Sequence, residues 1–326
     1  MEELKAIIDL SDRVDRQHVS SFVANTVSVR DLSDIPGTRA RLAAVRENLP
    51  ETRFPGEVTM EDRSVSGPAG APDIRLKIYK PVALGPGAPA FFWIHGGGMV
   101  MGDVEQDNVR CAKIAKGTGA LVASVDYRLA PEHPFPAPLE DCYAGLKGLV
   151  SLADEFQLDL AHLAIGGGSA GGGLAAGLAL LARDKGEVAV CFQLLMYPML
   201  DDRNVTASSH EILDERVWNR ASNLAGWNAY LAGKAGSDDV SPYAAPARAT
   251  DLAGLPPAYI NVGELDLFLD EDIAYARALT AAGTPVELHV YPGAYHGSTS
   301  ALPSSSLSCR WHADEIAALV RAFEVS

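Results

Sequence analysis

Gly167-Gly168-Ser169-Ala170-Gly171 places one serine between glycines at a point where a strand should meet a helix. Before it, His162-Leu163-Ala164-Ile165-Gly166 reads as a short buried strand. After it, Gly172 to Ala182 is a small-residue and leucine run long enough for a helix. A serine in such a turn projects its hydroxyl from a strained bend, and the first amide of the following helix can donate to an oxyanion; this is a nucleophile elbow. The glycines from Gly166 to Gly171 also satisfy G-x-G-x-x-G, a dinucleotide fingerprint, which requires an acidic residue about 20 positions on at the end of the next strand. That strand, Val190 to Met196, ends in Tyr197-Pro198 without a carboxylate, and no lysine stands beside the serine as a phosphate loop would require. The hydride-transfer reading is therefore weak.

Outward from the elbow, strand and helix patterns alternate. Glu57 to Val65 and Ile74 to Pro81 are strand-like, parted by the turn-rich Ser66-Gly67-Pro68-Ala69-Gly70. Ala90 to Ile94, Ala120 to Asp126, Leu163 to Gly166, Val190 to Met196 and Ala258 to Val262 are short apolar runs of the kind buried in a parallel sheet. Val286 to Tyr291 adds a further strand. Helical patterns fall at about 104–117, 138–155, 170–185, 270–282 and 310–323, so the chain reads as a doubly wound α/β fold with a mostly parallel, eight-stranded sheet flanked by helices. Two regions stand apart. Residues 1–50 look helical and polar, with breaks at Pro36-Gly37 and Pro50, and 201–248 carries Trp218, Trp227 and Tyr230 but no strand. These are expected to form a helical cap over a catalytic domain of 51–200 and 249–326.

Four pieces of sequence converge on one chemistry. A serine hydroxyl needs an adjacent base, and His296, on a loop after the last strand, can swing over the strand ends where Ser169 sits. An acid must orient that imidazole. Glu264, Asp266, Asp270, Glu271 and Asp272 follow the preceding strand, and the order serine, acid, histidine is the α/β-hydrolase order. Asp266 is the choice, because Glu264 still hugs the strand and Asp270 to Asp272 read as the acidic first turn of a helix. His95-Gly96-Gly97-Gly98 directly follows a strand, and consecutive glycines allow amides to point at a developing oxyanion. The Gly97, Gly98 and Ala170 amides are assigned to that hole, with His95 shaping the loop. Met99, Met101, Tyr197, Trp218 and Trp227 are candidate pocket walls, with ordinary packing as the alternative for each.

Composition narrows the rest. The 326 residues are 48% hydrophobic, enough for a large core. The net charge of −15 opposes nucleic acid or an anionic membrane surface as partner. Cys111, Cys142, Cys191 and Cys309 form no C-x-x-C pair, so neither a zinc site nor a disulfide framework is expected. Met1 to Arg16 has no signal-peptide pattern, and Leu174 to Ala182 is too short to span a bilayer. A cytoplasmic location, no metal and no cofactor are the expectations.

These motifs together resemble the hormone-sensitive-lipase-like family of α/β-hydrolase esterases, which includes bacterial carboxylesterases and acetyl esterases. Val125-Asp126-Tyr127-Arg128-Leu129-Ala130-Pro131-Glu132-His133-Pro134-Phe135-Pro136-Ala137 looks like a family block that supports the site, and Asp266-Leu267-Phe268-Leu269-Asp270-Glu271 is similar to the family's D-P-L-R-D-E acid motif. The likeness covers about residues 75 to 300 and is especially near the bacterial heroin-esterase type. It implies a serine carboxylesterase acting on short-chain or aromatic-alcohol esters, a cap built from the two regions above, and a homodimer. Two departures stand out: Gly168 occupies the place where relatives commonly carry aspartate, and Leu267 and Leu269 replace proline and arginine. Alternatives remain open: a ligand-binding module, which in similar plant receptors lacks the histidine present here, a non-hydrolytic lyase, and an amidase.

Overall fold

The computed structural model describes residues 10–24, 32–47 and 56–324. Eight strands form one sheet: β1 (Val58–Val65), β2 (Ile74–Pro81), β3 (Ala88–Ile94), β4 (Leu121–Val125), β5 (Leu158–Gly168), β6 (Phe192–Met196), β7 (Ala258–Leu265) and β8 (Val286–Tyr295). Their order across the sheet is β1-β2-β4-β3-β5-β6-β7-β8. The first two pairings, β1 with β2 and β2 with β4, are antiparallel, and the remaining five are parallel. Helices α1 (Val19–Ala24) and α2 (Ile35–Glu47) precede the sheet. Then come α3 (Asn108–Thr118), α4 (Ala137–Ser151), α5 (Ala153–Phe156), α6 (Ala170–Lys185), α7 (Ala207–Glu211), α8 (Arg220–Tyr230), α9 (Leu269–Ala281), α10 (Ser298–Ala301) and α11 (Ser306–Glu324).

Both faces of the sheet are covered, which is why its central strands β3, β4 and β6 are nearly continuous apolar runs, whereas β1 and β2 at the edge carry charged residues. One face sends Phe92, Ile94, Ile165, Leu195 and Ile260 against α4, α6 and α9. Their sequence neighbours Phe91, Trp93, Ala164, Leu194 and Tyr259 pack on the other face against α3 and α11. The period-two alternation thus sorts residues between two cores.

Four strands run further than their sequence pattern predicts, β3 by two residues at its start. β5 begins at Leu158 and continues through Gly168, so two glycines of the elbow are strand residues. Side chains are excluded at Gly166 and Gly167: a Cβ on Gly166 would lie 2.7 Å from the Phe91 ring, and one on Gly167 would lie 2.3 Å from the Gly171 carbonyl oxygen. β7 extends to Leu265 and β8 to Tyr295, so the acid and the histidine follow their strands at once, without an intervening loop. Pro36-Gly37 does not break a helix; it lies in the first turn of α2, where Asp34 Oδ1 accepts from the Gly37 amide at 2.9 Å. Pro50 and the rest of 1–9, 25–31 and 48–50 lie outside the described residues. The 201–248 region contains α7 and α8 and no strand. It is drawn together by buried Asp202, which accepts from Arg248 and from the Gly236 amide. Among the described residues, no helix is long and apolar enough to cross a membrane.

Candidate active site

Ser169 sits between the last residue of β5 and the first of α6, with φ 58° and ψ −121°. A non-glycine residue there stores strain of order 1–3 kcal/mol, which must be held by its surroundings. The holding bonds are the Ser169 amide to the Met196 carbonyl (2.8 Å) and the Ser169 carbonyl accepting from Gly173 and Met199 (both 3.0 Å). The bend is thereby nailed to both the following helix and β6.

His296 Nε2 lies 3.0 Å from Ser169 Oγ, and His296 Nδ1 lies 2.8 Å from Asp266 Oδ2. A carboxylate only accepts, so Nδ1–H donates to Asp266 and Nε2 is left to accept the serine proton. Oδ1 of Asp266 accepts from the Phe268 amide at 3.1 Å, which fixes the carboxylate plane. All three side chains are buried. Around the imidazole stand Tyr197, at 4.6 Å between ring centroids, Phe268, edge-on at 5.3 Å, and Trp218 at 6.4 Å. This aromatic collar keeps bulk water from competing for the histidine's hydrogen bonds.

The remaining acids are otherwise engaged. Glu264 accepts from Arg13 and from the Gly293 amide, each at 3.0 Å, and these bonds hold its carboxyl below the ordinary glutamate value. Asp270 Oδ2 accepts from the Ser208 amide, and Glu271 Oε1 from the Leu200 and Asp201 amides. The first turn of α9 is therefore not merely a solvated partner of the helix dipole: it clamps the root of the 201–248 region. Asp272 is fully buried with neither oxygen hydrogen-bonded among the described residues, and burial pushes its carboxyl well above the usual range, with Glu271 and Asp266 adding to the rise.

The triglycine loop lies against the serine. A Cβ on Gly96 would be 2.8 Å from the Gly168 carbonyl oxygen and 3.3 Å from Ser169 Cβ, so only glycine allows this approach. Gly97, Gly98 and Met99 take successive positive φ values of 122°, 61° and 62°. Five carbonyls of this turn are committed: His95 O to Tyr127 Oη, Gly96 O to Gln106 Nε2, Gly97 O to the Val100 and Met101 amides, Met99 O to the Ala130 amide, and Val100 O to Arg39 Nε. Among the described residues, no acceptor is found for the Gly97, Gly98 or Ala170 amides. His95 is buried beneath the loop, stacked on Tyr127 at 4.2 Å, and burial lowers its pKa.

Candidate wall residues divide. Trp218 packs on Gly98, where a Cβ would meet its ring at 2.3 Å, and Tyr197 lies against His296. Met101 lines a cavity of about 570 Å³ between the triglycine loop and α2, together with Gly97, Arg39, Leu42, Val45 and Leu129. Met99 and Trp227 have no accessible surface. Met99 is fully buried within the turn, and Trp227 is fully buried in α8 beside Tyr230, so each serves packing. A larger groove of about 920 Å³ runs between the end of β1 and α4, with no triad or triglycine residue in its lining. Among the described residues, no group of three or more His, Cys, Asp and Glu side chains could hold a metal ion.

Phe268, Arg39 and Met196 escaped sequence reasoning. Phe268 sits inside the acid motif, where the unusual leucines on either side drew the reading. Met196 Cε occupies the space a Gly168 side chain would take, 2.4 Å from an ideal Cβ. Nothing in the sequence around Arg39 marks it.

A family model described as alpha/beta hydrolase fold matches residues 91–300. Esterase LipI of Mycobacterium tuberculosis is 38% identical over 266 residues, covering 78% of this chain and 81% of its own. Carboxylesterase NlhH of the same species is 38% identical over 268 residues, covering 79% and 80%. Among solved structures, a bacterial heroin esterase superposes with a TM-score of 0.92 at 39% identity, covering 97% of this chain and all of that one.

Proposed function

The chain belongs to the alpha/beta hydrolase family of these esterases, and from that premise we propose that it is a serine carboxylesterase acting through an acyl-enzyme on short-chain or aromatic-alcohol esters. The observation that carries the reading is the hydrogen-bond chain from Asp266 through His296 to Ser169, set beside a triglycine loop. Ser169 Oγ attacks the ester carbonyl while His296 Nε2 takes its proton, and Asp266 stabilises the imidazolium through Nδ1–H. The amides of Gly97, Gly98 and Ala170 hold the tetrahedral oxyanion, each such donor contributing on the order of 3 kcal/mol to the transition state. His296 then protonates the departing alcohol, and a water repeats the cycle on the acyl-enzyme. α1, α2 and the 201–248 region act as the cap, with Trp218, Tyr197 and Met101 walling the substrate. A cytoplasmic enzyme that assembles as a homodimer completes the proposal.

Steady p-nitrophenol release from p-nitrophenyl acetate, abolished by Ser169→Ala in a folded protein, is the expected result, with turnover falling as the acyl chain lengthens. Release undiminished in Ser169→Ala would refute the mechanism. Faster turnover of p-nitroacetanilide than of the ester would assign an amidase instead.

A further inference from the structure

The triglycine turn is held from two directions, and one of them is the N-terminal helix α2. Met99 and Val100 carry adjacent carbonyls in the turn, both hydrogen-bonded. The Met99 carbonyl is bound by the Ala130 amide at 2.9 Å, a bond within the catalytic domain. The Val100 carbonyl is bound by Arg39 Nε at 2.6 Å. The same guanidinium donates through Nη2 to the Ala130 carbonyl at 2.7 Å, and through Nη1 and Nη2 to the two carboxylate oxygens of Glu132 at 2.8 and 2.9 Å. Four hydrogen bonds thus leave one side chain of α2, and every acceptor is either in the triglycine turn or in the segment that braces it.

This arrangement does more than dock a helix. A fork to Glu132 alone would fix α2, since planar guanidinium and carboxylate match in two bonds. The Nε bond is directed elsewhere, into a turn whose three consecutive left-handed residues have no regular secondary structure to maintain them. Val100 and Met101 also supply the amides that fold the turn back on the Gly97 carbonyl, so a shift of the Val100 peptide moves Gly97 with it.

We propose that Arg39 is a positioning residue for the oxyanion hole, coupling the seating of α2 to the aim of the Gly97 and Gly98 amides. The proposal rests on the esterase reading given above. Arg39 touches no reacting atom; it acts through the Val100 carbonyl. Its loss therefore weakens binding of the tetrahedral state more than binding of the ester.

The test uses the full chain with p-nitrophenyl acetate and a phenyl trifluoromethyl ketone, whose adduct with the serine places an oxyanion in the hole. Arg39→Ala is expected to lower kcat/KM by about 10- to 100-fold, chiefly in kcat, and to raise the ketone's Ki in step, with KM within about twofold. Arg39→Lys retains the charge facing Glu132 but has no Nε–H for Val100, so it is expected to remain impaired while folding like the unmodified protein. It is also the arm that decides if Arg39→Ala fails to fold. Arg39→Lys with unaltered kcat and Ki would overturn the proposal, as would an Arg39→Ala loss confined to KM and to longer acyl chains, which would make Arg39 a pocket wall. An unmodified protein without ester turnover would overturn the esterase reading and this role together. Full activity in the unmodified protein and in both variants would remove only the role of Arg39.

Discussion

Adding one methyl group at Gly96 or at Gly168 gives opposite outcomes, and the reason is what each methyl meets. At Gly96 an ideal Cβ lies 2.8 Å from the Gly168 carbonyl oxygen and 3.3 Å from Ser169 Cβ, where ordinary contact begins at 3.4 Å. The gap must open by about 0.6 Å, and both neighbours belong to a bend already fixed by three hydrogen bonds. Overpacking of this kind costs about 1–3 kcal/mol. The displacement falls between the nucleophile and the oxyanion loop, so most of it is lost from the transition state, and 2 kcal/mol corresponds to about 30-fold in rate. At Gly168 the clash is nominally worse, 2.4 Å, yet its partner is Met196 Cε, the free end of a side chain with three rotatable bonds. Neither glycine has a positive φ. Replacing a strand glycine also recovers about 0.5–1 kcal/mol of chain entropy, which offsets the swing of the methionine. Gly96→Ala should therefore lower kcat/KM for p-nitrophenyl acetate about 30-fold and reduce Tm by a few °C, while Gly168→Ala stays within about fivefold and within 1 kcal/mol of the unmodified protein. Active-site titration with steady-state kinetics, and thermal melts by circular dichroism, measure both. A Gly96→Ala enzyme within twofold of the unmodified one, or a Gly168→Ala enzyme more impaired than it, would refute the argument that the mobility of the neighbour decides the cost.

Asp266→Asn should reduce kcat about 10⁴-fold, because an amide facing Nδ1 favours the wrong tautomer, whereas Glu264→Gln should leave kcat within about twofold; stopped assays on both separate the two acids. Burial opposes ionisation of Glu315, but Arg110, His312 and Asn261 together hold its carboxyl at about 2. Its folded value is depressed, so its contribution is full above the ordinary 4.5 and is lost as pH falls from there through about 2. Glu315→Gln, which leaves Arg110 buried without its partner, should cost about 3–5 kcal/mol at pH 7, with the gap in urea midpoints closing below pH 4.5. Asp272 has the opposite sign: its raised folded value gives stability that is full below the ordinary 3.8 and declines as pH rises. Asp272→Asn should thus gain in Tm over the unmodified protein as pH increases from about 4 to 8; a constant difference across that range would contradict it.

Much of this architecture was legible because its signals are local. Ala90 to Ile94 and Ala258 to Val262 announce buried strands by composition alone, and a serine between glycines, a triglycine after a strand and a histidine after the last strand each need only a few neighbours to be read. The gaps have a common physical origin in contacts made across long sequence separations. β5 starts early because Leu158 pairs with Ala88 of β3, and it runs through Gly166 and Gly168 beside Phe91 and Met196, partners far away in sequence. Asp272 reads as an acid of a helix's first turn because its burial is imposed by the surrounding fold, while Glu271 accepts from the Leu200 and Asp201 amides, some 70 residues away in sequence. For Met99 and Trp227 the packing alternative fits their full burial, which residue type alone does not reveal.

The strand order also sets when the chain becomes chemically competent. The oxyanion loop follows β3, the serine β5, the acid β7 and the histidine β8, with β8 at the sheet edge and last to be synthesised. Every earlier strand can be in place while the serine still lacks its base, 127 residues downstream. A nascent chain therefore carries no esterolytic centre until residue 296 has cleared the ribosome and β8 has joined β7. Recovery of turnover during synthesis or refolding is consequently a clock for docking of that edge strand, whereas helical signal from α3 to α9 can appear before it.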